Sequence, residues 1–231
     1  MRKLVLALFI VLFSFGTFAQ NIQTHYHLGN SSGNFLTTTV EMFKPDKSGS
    51  TFFFIDMNYG EAGVKGVSMA YWEISHSWTL GKSPFAAHLE YNGGFGQYMP
   101  GGSYQINDAY LGGLEYSWNA KDFSRGFTIE TLFKTIRNKN NASFQLTGVW
   151  YMNFFKNKVK FDGYADFWKE DNVYGTGADQ TSTKFTFLAE PQLWYNFNSN
   201  LAIGSEVRLR WNFGGMKGFY VQPTAALKYT F

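Results

Sequence analysis

Read back from its C-terminus, the chain alternates. Phe231, Tyr229, Leu227, Ala225, Pro223, Val221 and Phe219 are apolar, while Thr230, Lys228, Ala226, Thr224, Gln222 and Tyr220 between them form a mixed polar set. Successive side chains of a strand point to opposite faces, so this is a β-strand whose two faces meet different surroundings. The same period of two recurs in twelve segments, near residues 21–29, 34–43, 51–59, 67–78, 85–95, 105–118, 125–136, 142–155, 158–168, 183–197, 201–213 and 218–231. No stretch carries a helical period. No linker or shift of composition divides the series, and repetition goes no further than the hairpin pattern. The pattern predicts a single all-β domain.

Two segments make the faces explicit. In 201–213, Leu201, Ile203, Val207, Leu209, Trp211 and Phe213 oppose Glu206, Arg208, Arg210 and Asn212. In 183–197, Phe185, Phe187, Ala189, Leu193, Tyr195 and Phe197 oppose Lys184, Thr186, Glu190, Gln192 and Asn196. Alternation alone fits a sandwich with its apolar face inside or a membrane barrel with its apolar face outside.

The N-terminus separates the two. "MRKLVLALFIVLFSFGTFAQ" has a basic start, an apolar run from Leu4 to about Phe15 and a small-residue ending. It predicts a secretory signal peptide over residues 1–19, cleaved between Ala19 and Gln20, with residues 20–231 as the mature domain. The apolar run is too short to span a membrane comfortably, and nothing like a stop-transfer segment follows. Export, aromatics near segment ends (Trp78, Trp118, Phe154, Phe197) and the terminal Phe231 point to a transmembrane antiparallel β-barrel of about twelve strands in the bacterial outer membrane. Arg or Lys facing lipid at the midplane costs up to ~2–4 kcal/mol, so the charged face must be the lumen.

The connections alternate as such a barrel requires. "KPDKSGS", "TLGKSP", "NAKDFS", "FKNK" and "NSN" read as short periplasmic turns, and residues 93–105 and 169–183 as the longest outer loops. Proline is expected to cause register error at Pro191 or Pro223, since a bulge there shifts every later side chain to the other face.

Composition narrows the function classes. Aromatics make up 20% of the chain, with 25 Phe, and mean hydropathy is slightly negative. Cysteine is absent, which excludes a disulfide framework and a lipid anchor on cysteine. The formal charge of +3 falls by the two charges of Arg2 and Lys3 once the leader is removed, so no nucleic-acid partner is expected.

Several stretches carry a family resemblance. The closing aromatic with alternate apolar residues before it resembles the signal by which outer-membrane proteins are handed to the barrel-assembly machinery, which gives Phe231 a role as an address. "TTTVEMFKPDKSGSTFFFIDMNYG" (37–60), "AYWEISHSW", "HLEYNGG", "YADFWKE" and "GFYVQPTAALKYTF" resemble a family of uncharacterised outer-membrane proteins of Bacteroidota. That family is distantly similar to nucleoside-specific channel-forming proteins of the Tsx type, which are twelve-stranded barrels. The resemblance implies a passive channel for small hydrophilic solutes, with nucleosides the named candidate, and the barrel is expected to be a monomer in outer-membrane lipid.

Face parity then selects the lumen residues. Glu41, Phe52, Phe54, Asp56, Tyr71, Glu73, Glu206, Arg208, Arg210 and Tyr220 are predicted to line the pore, the aromatics stacking on a flat solute and the charges bonding its hydroxyls. The alternative is a closed structural or surface-interaction barrel, its acids and bases pairing across strands and its outer loops forming the binding surface.

No catalytic residue, metal ligand or cofactor is predicted. His25 and His27 share a face and read as a solvated polar edge of the first strand, because no third ligand accompanies them. His88 and Glu90 also share the inward face, and His76 sits among lipid-directed Trp72, Ile74 and Trp78. No GxSxG, HExxH or phosphate-cradling loop is present. Asn30-Ser31-Ser32 and Asn141-Ala142-Ser143 read as ordinary turn residues, and Asp171 and Asp179 match no calcium-loop spacing.

Overall fold

A computed structural model describes residues 19–29, 34–139 and 142–231. The predicted signal segment up to residue 18 and the turn residues Asn30, Ser31, Ser32 and Asn141 fall outside the described residues. The rest is almost wholly strand: β1 (Ala19–His27), β2 (Leu36–Pro45), β3 (Gly49–Tyr59), β4 (Val67–Thr79), β5 (Phe85–Tyr98), β6 (Gly102–Asn119), β7 (Arg125–Ile136), β8 (Ser143–Phe154), β9 (Val159–Tyr174), β10 (Thr181–Ala189), β11 (Gln192–Asn196), β12 (Leu201–Trp211) and β13 (Phe219–Thr230). Two one-turn 3₁₀ helices, Glu61–Gly63 and Gly177–Asp179, lie in connections.

Apart from β10 with β11, each strand pairs antiparallel with its sequence neighbour, and β1 pairs with β13 from Asn21↔Thr230 to His27↔Thr224, so the sheet closes on itself. β10 and β11 are two halves of one stave. Both pair with β9 and with β12, and the break falls at Glu190-Pro191. The molecule is therefore a closed antiparallel barrel of twelve staves.

The expected slip at proline does not occur. Ala189↔Ala165 above the break and Gln192↔Asp162 below it keep one register. The amide of Glu190 donates to the Tyr164 carbonyl and Val207 donates to the Pro191 carbonyl, so proline removes one donor and the flanking bonds hold the alignment. Pro223 likewise pairs with Val207 in the register of Gly204↔Ala226. The register shifts that do occur lie at Asn58/Tyr59, Asn92/Gly94 and Thr183/Phe185, all toward one end of the barrel.

That end also departs from expectation in its connections. Residues 93–105 are a continued β-ribbon, with β5 running to Tyr98, β6 starting at Gly102 and only residues 99–101 as the turn. Residues 169–183 are ribbon too, apart from 175–180. The opposite end carries the short turns 46–48, 80–84, 120–124, 155–158 and 197–200, as the sequence predicts.

Burial assigns the two faces. Ile22, Ile55, Ile74, Leu89, Leu114, Ile129 and Leu227 are exposed on the outer wall, while Gln23, His25, Thr37, Asn58, His88, Gln145 and Thr224 are buried inside. A polar interior within an apolar belt is the inverse of a soluble core. The barrel belongs in the bacterial outer membrane.

Candidate functional site

The registers place every predicted pore residue on the lumen face. Glu41 pairs with Asn21 and Phe54, Phe54 with Glu73, and Asp56 with Tyr71. Arg208 pairs with Gln222 and Arg210 with Tyr220 on β12 and β13, which β1 and β2 separate from β3, and Glu206 pairs with Gln192. Paired residues share a face, so these side chains meet inside.

The lumen is unequal around its circumference. On the β3–β4 wall, Phe52, Phe54, Asp56, Tyr71 and Glu73 are only partly buried. Their rings form a ladder, with centroids 6.1 Å apart between Phe52 and Phe54 and 5.9 Å between Phe54 and Tyr71. Tyr71 Oη donates to Glu73 at 2.5 Å, and Thr39 Oγ1 donates to Asp56 at 2.5 Å. Across the lumen, Arg208 donates through Nε to Glu190 and lies within electrostatic reach of Glu206 and Asp56. Gln192 holds Glu206 at 2.8 Å, and the Arg210 guanidinium stands 5.9 Å from the Tyr220 ring.

The β1–β13 wall is dry. His25 and His27 are 2% and 1% exposed, which corrects the expectation of a solvated edge. His25 contacts Gln23 at 3.0 Å and Thr224 at 3.2 Å, and its ring lies edge-on to Trp194 at 6.0 Å. His27 contacts Thr37 at 2.8 Å and stacks on Phe35 at 4.1 Å. The physical reason is that Trp194, projecting from β11, packs against His25, and Phe35 stacks over His27, so rings cover both and exclude water. Among the described residues, no acid joins the two histidines in a ligand cluster.

A third region was not predicted as a unit. His88 and Glu90 from β5, Ser77 from β4, Glu115 from β6 and Glu130 from β7 converge on the lumen side of four adjacent strands. Sequence gives only the H-x-E pair. The like-charged cross-strand pair Glu115↔Glu130 appears once the register is known, and an unfavourable pair of that kind is a signal for function. His76 stays on the outer face as expected, 2.8 Å from Thr51 Oγ1 and 4.4 Å from the Trp78 ring.

Charge on the lumen face is biased. Glu41, Asp56, Glu73, Glu90, Glu115, Glu130, Asp162, Asp166, Glu190 and Glu206 outnumber Lys134, Lys160, Arg208, Arg210 and Lys228. Two of those bases are tied in ion pairs, Arg208 to Glu190 and Lys160 to Asp162 at 2.6 Å.

Residues 19–231 match the family described as Domain of unknown function (DUF5020). The chain belongs to that family. No curated protein matches this DUF5020 barrel. Among solved structures it is similar to a "NanC porin", at 12% identity with a TM-score of 0.57, covering 92% of this chain and 99% of that one. It is also similar to a "KdgM porin", at 12% identity with a TM-score of 0.52 and the same two coverages. At that identity the likeness speaks for the outer-membrane barrel fold, and a fold by itself assigns no solute.

Proposed function

We propose that this DUF5020 barrel is a passive channel for small hydrophilic solutes. The observation that carries the reading is the partial exposure of Asp56, Tyr71, Glu73, Tyr164 and Arg208, which point inward from the middle of their strands. Their face is closed to lipid, so the surface they keep opens on the lumen, which supports a wet path there. A barrel filled by its own side chains would have buried them, as it buries His25 and Trp194 on the dry wall.

The aromatic ladder Phe52–Phe54–Tyr71 supports flat solutes, with nucleosides the candidate that the Tsx-type resemblance supplies. Stacking of ~1–3 kcal/mol per base is weak enough for release. Glu41, Arg210 and Tyr220 complete the solute contacts, and Glu206, buried beside Gln192, stands behind them. The barrel works as a monomer in outer-membrane lipid, and Phe231 addresses it to the barrel-assembly machinery. The short-turn end faces the periplasm.

A second reading rests on the dry β1–β13 wall: a closed barrel that presents its β5–β6 and β9–β10 ribbons to a partner. Single-channel recording of the refolded protein in a planar bilayer separates the two. Discrete openings that millimolar nucleosides block, with block weakened about tenfold in Phe54→Ala, are expected from the channel. A folded, inserted barrel with no conductance would leave the closed reading.

A further inference from the structure

The cluster around His88 fixes its own tautomer. Ser77 Oγ donates its single proton to Glu115 Oε2 at 2.6 Å. The 3.0 Å contact between that same Oγ and His88 Nδ1 must therefore have the imidazole as donor, with the proton on Nδ1. His88 Nε2 then faces Glu90 Oε2 at 3.1 Å and Glu130 Oε2 at 3.9 Å. Among the described residues, Glu130 is 8% exposed and its carboxylate accepts no hydrogen bond. No Lys or Arg forms an ion pair with Glu90, Glu115 or Glu130 among those residues. A ring nitrogen aimed at two carboxylates that meet no Lys or Arg calls for a positive charge, which either a proton on Nε2 or a cation between the three groups supplies.

The spacing suits a metal ion. Two ligand atoms on a tetrahedral zinc at ~2.0–2.2 Å lie roughly 3.3–3.6 Å apart. The 3.1 and 3.9 Å separations bracket that figure, and the ligand atoms of His88, Glu90 and Glu130 all fall within 4.8 Å of one another. We propose that His88, Glu90 and Glu130 bind a divalent transition cation of the zinc class. An imidazole among carboxylates favours zinc, cobalt, nickel or manganese over calcium or magnesium. Ser77 and Glu115 are positioning residues: they hold the Nδ1 proton and so present the Nε2 lone pair, the arrangement that orients metal-bound histidines elsewhere. Partly exposed Glu90 gives the ion a route from the lumen. The site stands whether or not the barrel conducts.

The test uses the full barrel, refolded without an affinity tag and stripped with chelator. Titration with Co²⁺ is expected to give ligand-field absorption saturating at one ion per barrel, displaced by Zn²⁺. His88→Gln and Glu130→Gln are each expected to weaken Zn²⁺ binding at least tenfold. Ser77→Ala, which keeps all three ligands, is expected to weaken it about 10–100-fold. Glu130→Gln removes a carboxylate that accepts no hydrogen bond, so the barrel is expected to fold normally, and this variant carries the test if His88→Gln does not fold. Absence of stoichiometric Co²⁺ absorption overturns the proposal. So does Zn²⁺ affinity unchanged in Glu130→Gln, which would leave the cluster as a protonated histidine among acids.

Discussion

Trp194 has no exposed surface, and three contacts fix its ring. Its Nε1 donates to Gln192 at 2.8 Å, the Lys228 ammonium stands 3.9 Å from its ring centroid, and Gly204 lies directly beneath. A Cβ at Gly204 would come within 2.4 Å of the ring, so glycine is required there by the close approach. Gly204→Val is expected to displace the ring and destabilise the barrel by ~1–3 kcal/mol, and Trp194→Ala by ~3–5 kcal/mol. Urea unfolding in lipid vesicles measures both, and values within ~0.5 kcal/mol of wild type would mean that the ring contributes nothing to packing. Parity in the sequence shows that Trp194 points inward. Its depth was not legible, because that depends on His25, Ala202 and Ala226 from other strands meeting it inside the barrel. The same limit applies to His25, whose dryness is decided by a residue far away in the chain.

At the level of elements, the short turns were readable because their chemistry is local. Asp46 Oδ1 accepts from the amide of Ser48 at 2.7 Å, the hydroxyl of Ser48 at 2.6 Å and the amide of Gly49 at 3.0 Å. Asp122 repeats the pattern on Ser124, with the amide at 3.1 Å and the hydroxyl at 2.8 Å. Asn198 accepts from the amides of Asn200 and Leu201 at 2.9 and 2.8 Å. These are Asx-turns written in D-x-S and N-x-N. The serine hydroxyl, followed by the serine amide, holds each aspartate below its ordinary value. A depressed folded pKa stabilises the fold above the ordinary aspartate value, and that contribution is lost as pH falls through the folded value. Carboxyl NMR titration is expected to place both midpoints below that of an aspartate in an unfolded chain, with Ser48→Ala moving Asp46 back up. An Asp46 midpoint unmoved by that change would remove the hydroxyl as the cause. The ribbons at the other end were misread as loops because "GGFGQYMPGG" is dense in turn residues. Tyr104 lies against Gly96 across the hairpin, and Tyr98 stacks on Tyr104 at 6.5 Å, so side chains of the facing strand cover the glycine backbone and let pairing continue.

For the molecule as a whole, the formal charge of +3 misleads, since the lumen itself is rich in carboxylates. Rings of acid favour cations in a pore. A salt gradient across the bilayer is expected to give a reversal potential of cation-selective sign, growing as salt falls because screening weakens. Glu73→Gln with Asp56→Asn is expected to lower that selectivity several-fold, and an anion-selective wild type would contradict the assignment of charge to the conducting path. The barrel and its faces were legible because period-two alternation survives in almost every strand. The cation site was not, since its ligands come from two strands and its positioning groups from two more, and only the register brings Glu130 to His88.

The pairing of β1 with β13 has a temporal consequence. Asn21 and Thr230 lie almost a full chain apart in sequence, whereas every other strand pairs with a neighbour a short turn away. Hairpins are quick to form, and the join between first and last strands is the slowest kind of contact to find. Until Phe219–Thr230 is in place, β1 and β12 are both open edges, each a template for any passing strand. A chain halted one hairpin short is therefore adhesive matter in the envelope, and delivery of the final segment separates a sealed barrel from an aggregate.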